Sequence, residues 1–223
     1  MTTAIFRSAA EINSAMSRVY GHMGLAVLTS MIVSLLVSGS PALMQFFFTG
    51  AMKWVTLFAP LAVILVFSFA VDKFSKPALQ LFLHGFAALM GLSFSAIFVV
   101  FTLGSIVSAF MGSAVLFGVM SFYGYFTKRN LDSVGQFMTI GLIAIIIASI
   151  VNIFIGSTVM QMVISALAIV IFLGLTAYDT QKIREMVSVD NTGREEVIGA
   201  LTLYMDFINL FLNLLQLFGQ RKD

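Results

Sequence analysis

Five polar side chains recur along one apolar stretch near the C-terminus: Thr202, Asp206, Asn209, Asn213 and Gln216. Their spacing of 4, 3, 4 and 3 residues places them on one stripe of a helix whose other faces are Leu, Phe, Ile and Met. Asp206 falls about nine residues, roughly 14 Å, inside the start of that stretch. A carboxylate at such a depth in a membrane costs at least ~2.5–3.5 kcal/mol, so its default reading is functional, facing a bundle interior or water. Thr202, Asn209, Asn213 and Gln216 are then candidates to line a solvated path. Two plainer readings stay open. A helix lying flat on the membrane would keep the stripe in water, but such helices usually carry Lys or Arg on the polar face, and this stripe has none. The stripe would also serve as hydrogen-bonding glue between helices.

A second carboxylate, Asp179, ends the preceding apolar run in Gly174-Leu-Thr-Ala-Tyr-Asp-Thr-Gln-Lys-Ile183. The turn signal Asp190-Asn191-Thr192-Gly193 places a hairpin tip near residues 192–193. With equal arms, Asp179 and Asp206 fall at similar depth on antiparallel neighbours. Two carboxylates that meet away from water share a proton and titrate as a coupled pair. Such a pair can hold two helices together in one protonation state and release them in another, and it can attract a divalent cation, because hard cations take carboxylate oxygens. Lys73 and Lys76 are candidate counter-charges, although each also fits an ordinary basic residue at a span end.

The elements that carry these groups follow from composition. The chain has 223 residues, 60% hydrophobic and only 10% charged, with a mean hydropathy of +1.03. A soluble domain carries about 25% charged residues, so a soluble enzyme, a nucleic-acid-binding domain and a disordered chain are excluded. Long unbroken apolar runs point to helices rather than a barrel. Seven spans are expected, at roughly 22–39, 54–71, 81–101, 105–126, 136–155, 159–178 and 197–218: an all-α membrane protein with one transmembrane domain over 22–218, an N-terminal tail over 1–21 and a short C-terminal tail over 219–223. Arg7, Arg18, Lys73, Lys76, Lys128, Arg129, Lys182, Arg184 and Arg194 fall on one side, against Lys53 in the first loop on the other. That excess predicts a cytoplasmic N-terminus. If the last span crosses fully, Arg221 and Lys222 join Lys53; if it re-enters, they join the basic side. No cleavable signal is expected. The chain has no cysteine, which removes disulfide, thiol and zinc-thiolate chemistry, and no cofactor is expected. Gly104, Ser108 and Gly112 form a small-residue ridge suited to close helix packing. His22 and His84 read as packed or interfacial.

The segments around Asp179 and Asp206, the latter Gly199-Ala-Leu-Thr-Leu-Tyr-Met-Asp-Phe-Ile-Asn-Leu-Phe211, resemble the Bax inhibitor-1 family. Gly91-Leu-Ser-Phe-Ser-Ala-Ile-Phe98 and Ser121-Phe-Tyr-Gly-Tyr-Phe-Thr-Lys-Arg-Asn-Leu131 are similar to its bacterial branch. The resemblance implies a last helix wrapped by the other six, a pH-sensitive calcium leak, and an aspartate latch that maps onto Asp179 and Asp206. It also implies a basic residue on the second span, for which Lys73 is the candidate, and a multi-pass protein of the bacterial inner membrane. An acidic entrance group near the first loop has no match, because Glu11 is the only acidic residue before Asp72. A non-transporting regulator that binds a membrane-bound ATP-dependent protease is the alternative that the resemblance carries. An intramembrane aspartyl protease is disfavoured, since Asp206 follows Leu203-Tyr204-Met205 rather than the Gly-x-Gly of those enzymes. The chain is therefore expected to be no enzyme, with the lipid bilayer as partner and no nucleic acid.

Overall fold

A computed structural model describes residues 7–190 and 192–222. Asn191, part of the expected turn, lies outside the described residues. Among them, seven helical segments are long and apolar enough to cross a membrane, and all seven overlap the expected spans. They are α1 (Ala9–Ser38), α3 (Met52–Ala70, continued by a 3-10 turn Val71–Lys73), α4 (Lys76–Phe94) with α5 (Ile97–Val100), α6 (Leu103–Phe126), α7 (Asp132–Ile155), α8 (Thr158–Val189) and α9 (Arg194–Phe218). The chain is a multi-pass membrane protein.

The departures from the sequence reading have local causes. The stretch set apart as a tail is helical from Ala9. Ser8 and Glu11 close a capping box there, with the Ser8 backbone N–H donating to Glu11 Oε2 at 2.7 Å. A short helix, α2 (Pro41–Phe48), occupies the first loop, started by Ser40 and by Pro41 in the first turn. The polar segment after the sixth span is mostly helix, because α8 runs on to Val189. Only the turn before α9 remains. There Gly193 takes φ +72°, a left-handed conformation that disfavours a side chain. Asp190 caps the next helix: its Oδ1 accepts from the Thr192 N–H and hydroxyl, both at 2.7 Å, and its Oδ2 accepts from the Glu195 N–H at 3.1 Å.

The chain divides into two compact units. The first holds α1 to α5, the end of α8, the opening turns of α9, and Arg221 with Lys222. Here α1 packs closely on α4. Gly91 lies against the backbone of Ser30, where a Cβ would not fit, and the Ser30 hydroxyl donates to the Ala87 carbonyl at 2.8 Å. His84 Nδ1 lies 3.3 Å from the Thr29 hydroxyl, a packed histidine. Phe67 stacks on Phe82 with ring centroids 3.7 Å apart.

The second unit holds α6, α7, most of α8 and the remainder of α9. Close approach depends here on Gly124, which meets the Ala177 backbone, and on Gly135, which meets the Tyr178 ring. The expected ridge does not supply it: Gly104 has open space beside it, and Gly112 has only Leu214 Cδ1 at 4.0 Å. Of all the spans α9 is the most enclosed, with 67% of its apolar window buried against 6–33% in the other six.

The two ends of α9 bind opposite ends of the span formed by α4 and α5. Glu196, in the first turn, pairs with Lys76 at the start of α4. Beyond the last turn, the Lys222 N–H donates to the Val100 carbonyl at 2.9 Å and its Nζ to the Phe98 carbonyl at 2.7 Å. The last span therefore crosses fully, and the re-entrant alternative is set aside.

Candidate functional site

In the second unit the side chains of Asp179 and Asp206 are hydrogen-bonded to each other. A bond between two carboxyls needs a proton on one of them, so this arrangement belongs to a protonated form of the pair. Asp206 sits midway along α9 and is 4% exposed; Asp179 is half-buried. The second oxygen of Asp206, Oδ2, is buried with no hydrogen-bond partner among the described residues. Leaving a buried acceptor unpaired costs about 1–3 kcal/mol.

Every neighbour of Asp179 in the chain is docked. Ala177 lies against Gly124 of α6, and the Tyr178 ring lies against Gly135 of α7. The buried Thr180 hydroxyl is 3.0 Å from that of Ser121. The Gln181 side-chain oxygen accepts from the Leu131 N–H at 2.9 Å, and its amide donates to the Arg129 carbonyl at 2.9 Å. The Ala-Tyr-Asp-Thr-Gln run thus has one packing or bonding task per residue, and together they fix where the Asp179 carboxyl emerges. On α9, Tyr204 is fully buried. Phe207 meets Phe110 and Phe117 of α6 edge-on, at centroid distances of 5.4 and 5.7 Å. These rings fix the rotation of α9 at Asp206.

The other stripe residues, Thr202, Asn209, Asn213 and Gln216, are half-buried along the least enclosed face of α9. Asn209 donates to the Met205 carbonyl and Asn213 to the Asn209 carbonyl, each at 2.8 Å. These bonds lie within the helix, so they do not glue α9 to a neighbour. Lys73 is exposed on its 3-10 turn and makes no ion pair among the described residues.

Lys76 does make one, in the first unit, with a residue that sequence reasoning missed. Glu196 is 1% exposed and receives three cations. Arg18 donates to it twice, Nε at 2.9 Å and Nη2 at 2.6 Å. Lys76 Nζ lies at 3.3 Å and Arg7 Nη1 at 3.5 Å. Glu196 stands at the end of the polar stretch just before the expected last span. The available signal was its place directly before the apolar run of α9, where an inward-facing acid at a helix N-terminus is favourable.

Among the described residues no cluster of three or more His, Asp or Glu side chains is placed to hold a metal. Asp179 and Asp206 offer at most four carboxyl oxygens, fewer than the 6–8 ligands that calcium takes.

The family model for "Inhibitor of apoptosis-promoting Bax1" matches residues 12–223. The chain belongs to the Bax inhibitor-1 family. Its relatives in the family include the inner membrane protein YbhL of Escherichia coli, 38% identical over 98% of this chain and 97% of the relative. A Rickettsia prowazekii protein is 37% identical over 93% of this chain and 90% of its own length. A Borreliella burgdorferi protein is 38% identical over 95% and 94%. The match takes in the aspartate hairpin, Glu196 with its partners Arg18 and Lys76, and the spans of this Bax inhibitor-1 protein from the second turn of α1 onward; Arg7 precedes it.

Proposed function

We propose that this Bax inhibitor-1 family protein is a pH-sensitive cation leak of the bacterial inner membrane, with its N-terminus in the cytoplasm and calcium as the transported ion. Asp179 and Asp206 form the latch. The observation that carries this reading is the carboxyl–carboxyl contact between α8 and α9, with Asp206 Oδ2 buried and unpartnered. With a proton between them the two carboxyls attract; with both ionised they repel in a low dielectric. Opening follows loss of the shared proton. Thr202, Asn209, Asn213 and Gln216, the accessible polar face of an otherwise enclosed helix, provide the oxygen-lined path, and the protein performs no covalent chemistry.

The test is calcium flux into liposomes holding purified protein, stepped through pH. Wild-type flux is expected to rise with pH. Asp206→Asn keeps a donor and an acceptor but cannot ionise, so its flux is expected to stay low and flat. Asp179→Asn behaves alike if the pair acts as a unit. Flux that ignores pH in the wild type, or an unchanged profile in Asp206→Asn, refutes the latch.

A further inference from the structure

The loop between α6 and α7 in the second unit is held by many bonds, yet the side chains of its two cations have no acidic partner among the described residues. Gln181 of α8 grips both the Leu131 N–H and the Arg129 carbonyl. One turn further along α8, Arg184 donates to the Tyr125 carbonyl at 2.9 Å, and its guanidinium lies 5.0 Å from the centre of the Tyr125 ring. The Arg129 N–H donates to the Thr127 hydroxyl at 3.3 Å; the Asn130 side-chain amide donates to Asp132 Oδ2 at 3.0 Å, and its oxygen accepts from the Asp132 N–H at 2.6 Å. Lys182 is spent on Glu185 at 3.2 Å and Asp132 at 3.8 Å. Lys128 and Arg129 are left exposed, with no acidic partner among the described residues. Their backbone is fixed beforehand, so capturing an anion there costs little ordering.

Directly before them on α6 stands an aromatic face. Phe122 and Phe126 are 66% and 62% exposed and touch each other, with centroids 4.5 Å apart. Tyr123, beside them, is 45% exposed. Below, Val115 and Val119 continue the exposed strip down the span. Apolar rings that grade within a few residues into unpaired cations match an amphiphile with hydrocarbon below and negative charge above. A soluble acidic protein would not use the rings, and the bilayer already surrounds this face.

We infer that Lys128 and Arg129, with Phe122 and Phe126 beneath them, form a binding site for the headgroup of an anionic phospholipid. The lipid phosphate sits between the two cations and an acyl chain lies along Phe126, Phe122 and Val119. The inference is independent of the aspartate latch.

Native mass spectrometry of the full-length protein in a neutral detergent tests it, with phosphatidylglycerol or phosphatidylcholine of matched chains. The wild type is expected to retain phosphatidylglycerol about ten-fold better. Lys128→Gln/Arg129→Gln should abolish the preference while leaving the melting temperature in lipid-free micelles unchanged. Lys73→Gln, which removes an exposed cation in the other unit, should keep it. Phe122→Ala/Phe126→Ala should weaken retention of the lipid but not its headgroup preference. Equal retention of both lipids by the wild type, or an undiminished preference in Lys128→Gln/Arg129→Gln, overturns the site. So does stabilisation of the wild type by inorganic phosphate alone to the same extent, which would mark a free-anion site. If the double variant loses both the preference and its fold in micelles, Arg129→Gln alone decides the matter: a preserved preference counts against the site, a reduced one for it.

Discussion

A single buried carboxylate can organise several helices when the cations reach it from different elements, as at Glu196. Arg7 precedes α1, Arg18 lies in its third turn and Lys76 begins α4, so removing one cation leaves two others on the carboxylate. Lys76→Gln is therefore expected to cost under about 1 kcal/mol, since Lys76 is about one-third exposed and water replaces part of its partner. Glu196→Gln acts differently, because it strands all three cations together. Breaking a buried pair costs ~3–5 kcal/mol; Arg18 is nearly half-exposed, so a loss of about 2–3 kcal/mol is expected. Thermal unfolding in micelles separates the two: equal effects would show that the pairs act singly. The same logic of contact holds beside Asp179. Gly124→Ala would drive a methyl into the Ala177 backbone, two residues from Asp179. Overpacking of this kind costs about 1–3 kcal/mol and should shift the pH profile of flux. Gly112→Ala meets only a flexible Leu214 methyl at 4.0 Å and should do neither.

The turn before α9 joins α8 to the helix that carries Asp206, and its stability depends on one carboxylate outside the spans. Partial burial works to raise the pKa of Asp190. The bonds from Thr192 and from the Glu195 N–H, together with the charge of Arg7, outweigh that and hold it below the ordinary carboxylate value. A depressed carboxylate adds stability above its unfolded pKa, near 3.9, and loses it as pH falls through the folded value. Asp190→Ala should cost about 1–2 kcal/mol at neutral pH, as loss of a cap does, and less below pH ~4. Unfolding measured at pH 7 and pH 3 checks this; a cost equal at both values would remove the ionised cap. This turn also shows what is legible in sequence. Asp190 and Gly193 are strong local signals, so the hairpin tip was readable, and with it the placement of Asp179 and Asp206 on neighbouring helices. The seven spans were readable because lipid tolerates little besides long apolar helices. The extension of α8 to Val189 was not, since Lys182, Arg184 and Glu185 make a helix end look like a loop. Nor was the seating of Ala177 and Tyr178 on Gly124 and Gly135, because contact between distant helices leaves no periodic trace in either. Lys73 and Lys76 were interchangeable in sequence; only the structure shows that Lys76 meets an acid.

At the scale of the whole molecule, charge and length made opposite claims on the last span. Moving Arg221 and Lys222 to the basic side would sharpen the charge asymmetry. The 25 residues of α9 extend about 37 Å at 1.5 Å each, enough to cross the hydrocarbon. Length wins because both ends are tied. The first turn is held by three cations through Glu196. At the far end, Lys222 is bonded to the Phe98 and Val100 carbonyls, and the Arg221 guanidinium lies 6.0 Å from the Phe101 ring centre. The basic tail thus sits where unsatisfied carbonyls end the α4–α5 span, and those bonds offset the unfavourable placement of its charges. It follows that the chain termini lie on opposite sides of the membrane. Alkaline phosphatase and a cytoplasm-active fluorescent protein, fused in turn to each end, should report opposite compartments, with the phosphatase active only at the C-terminus. Arg221→Ala/Lys222→Ala should keep that arrangement, since length and the Glu196 anchor remain, while lowering the melting temperature by a few degrees for about 1 kcal/mol lost. Both reporters reading the same compartment would contradict a crossing α9, and with it the depth at which Asp206 meets Asp179.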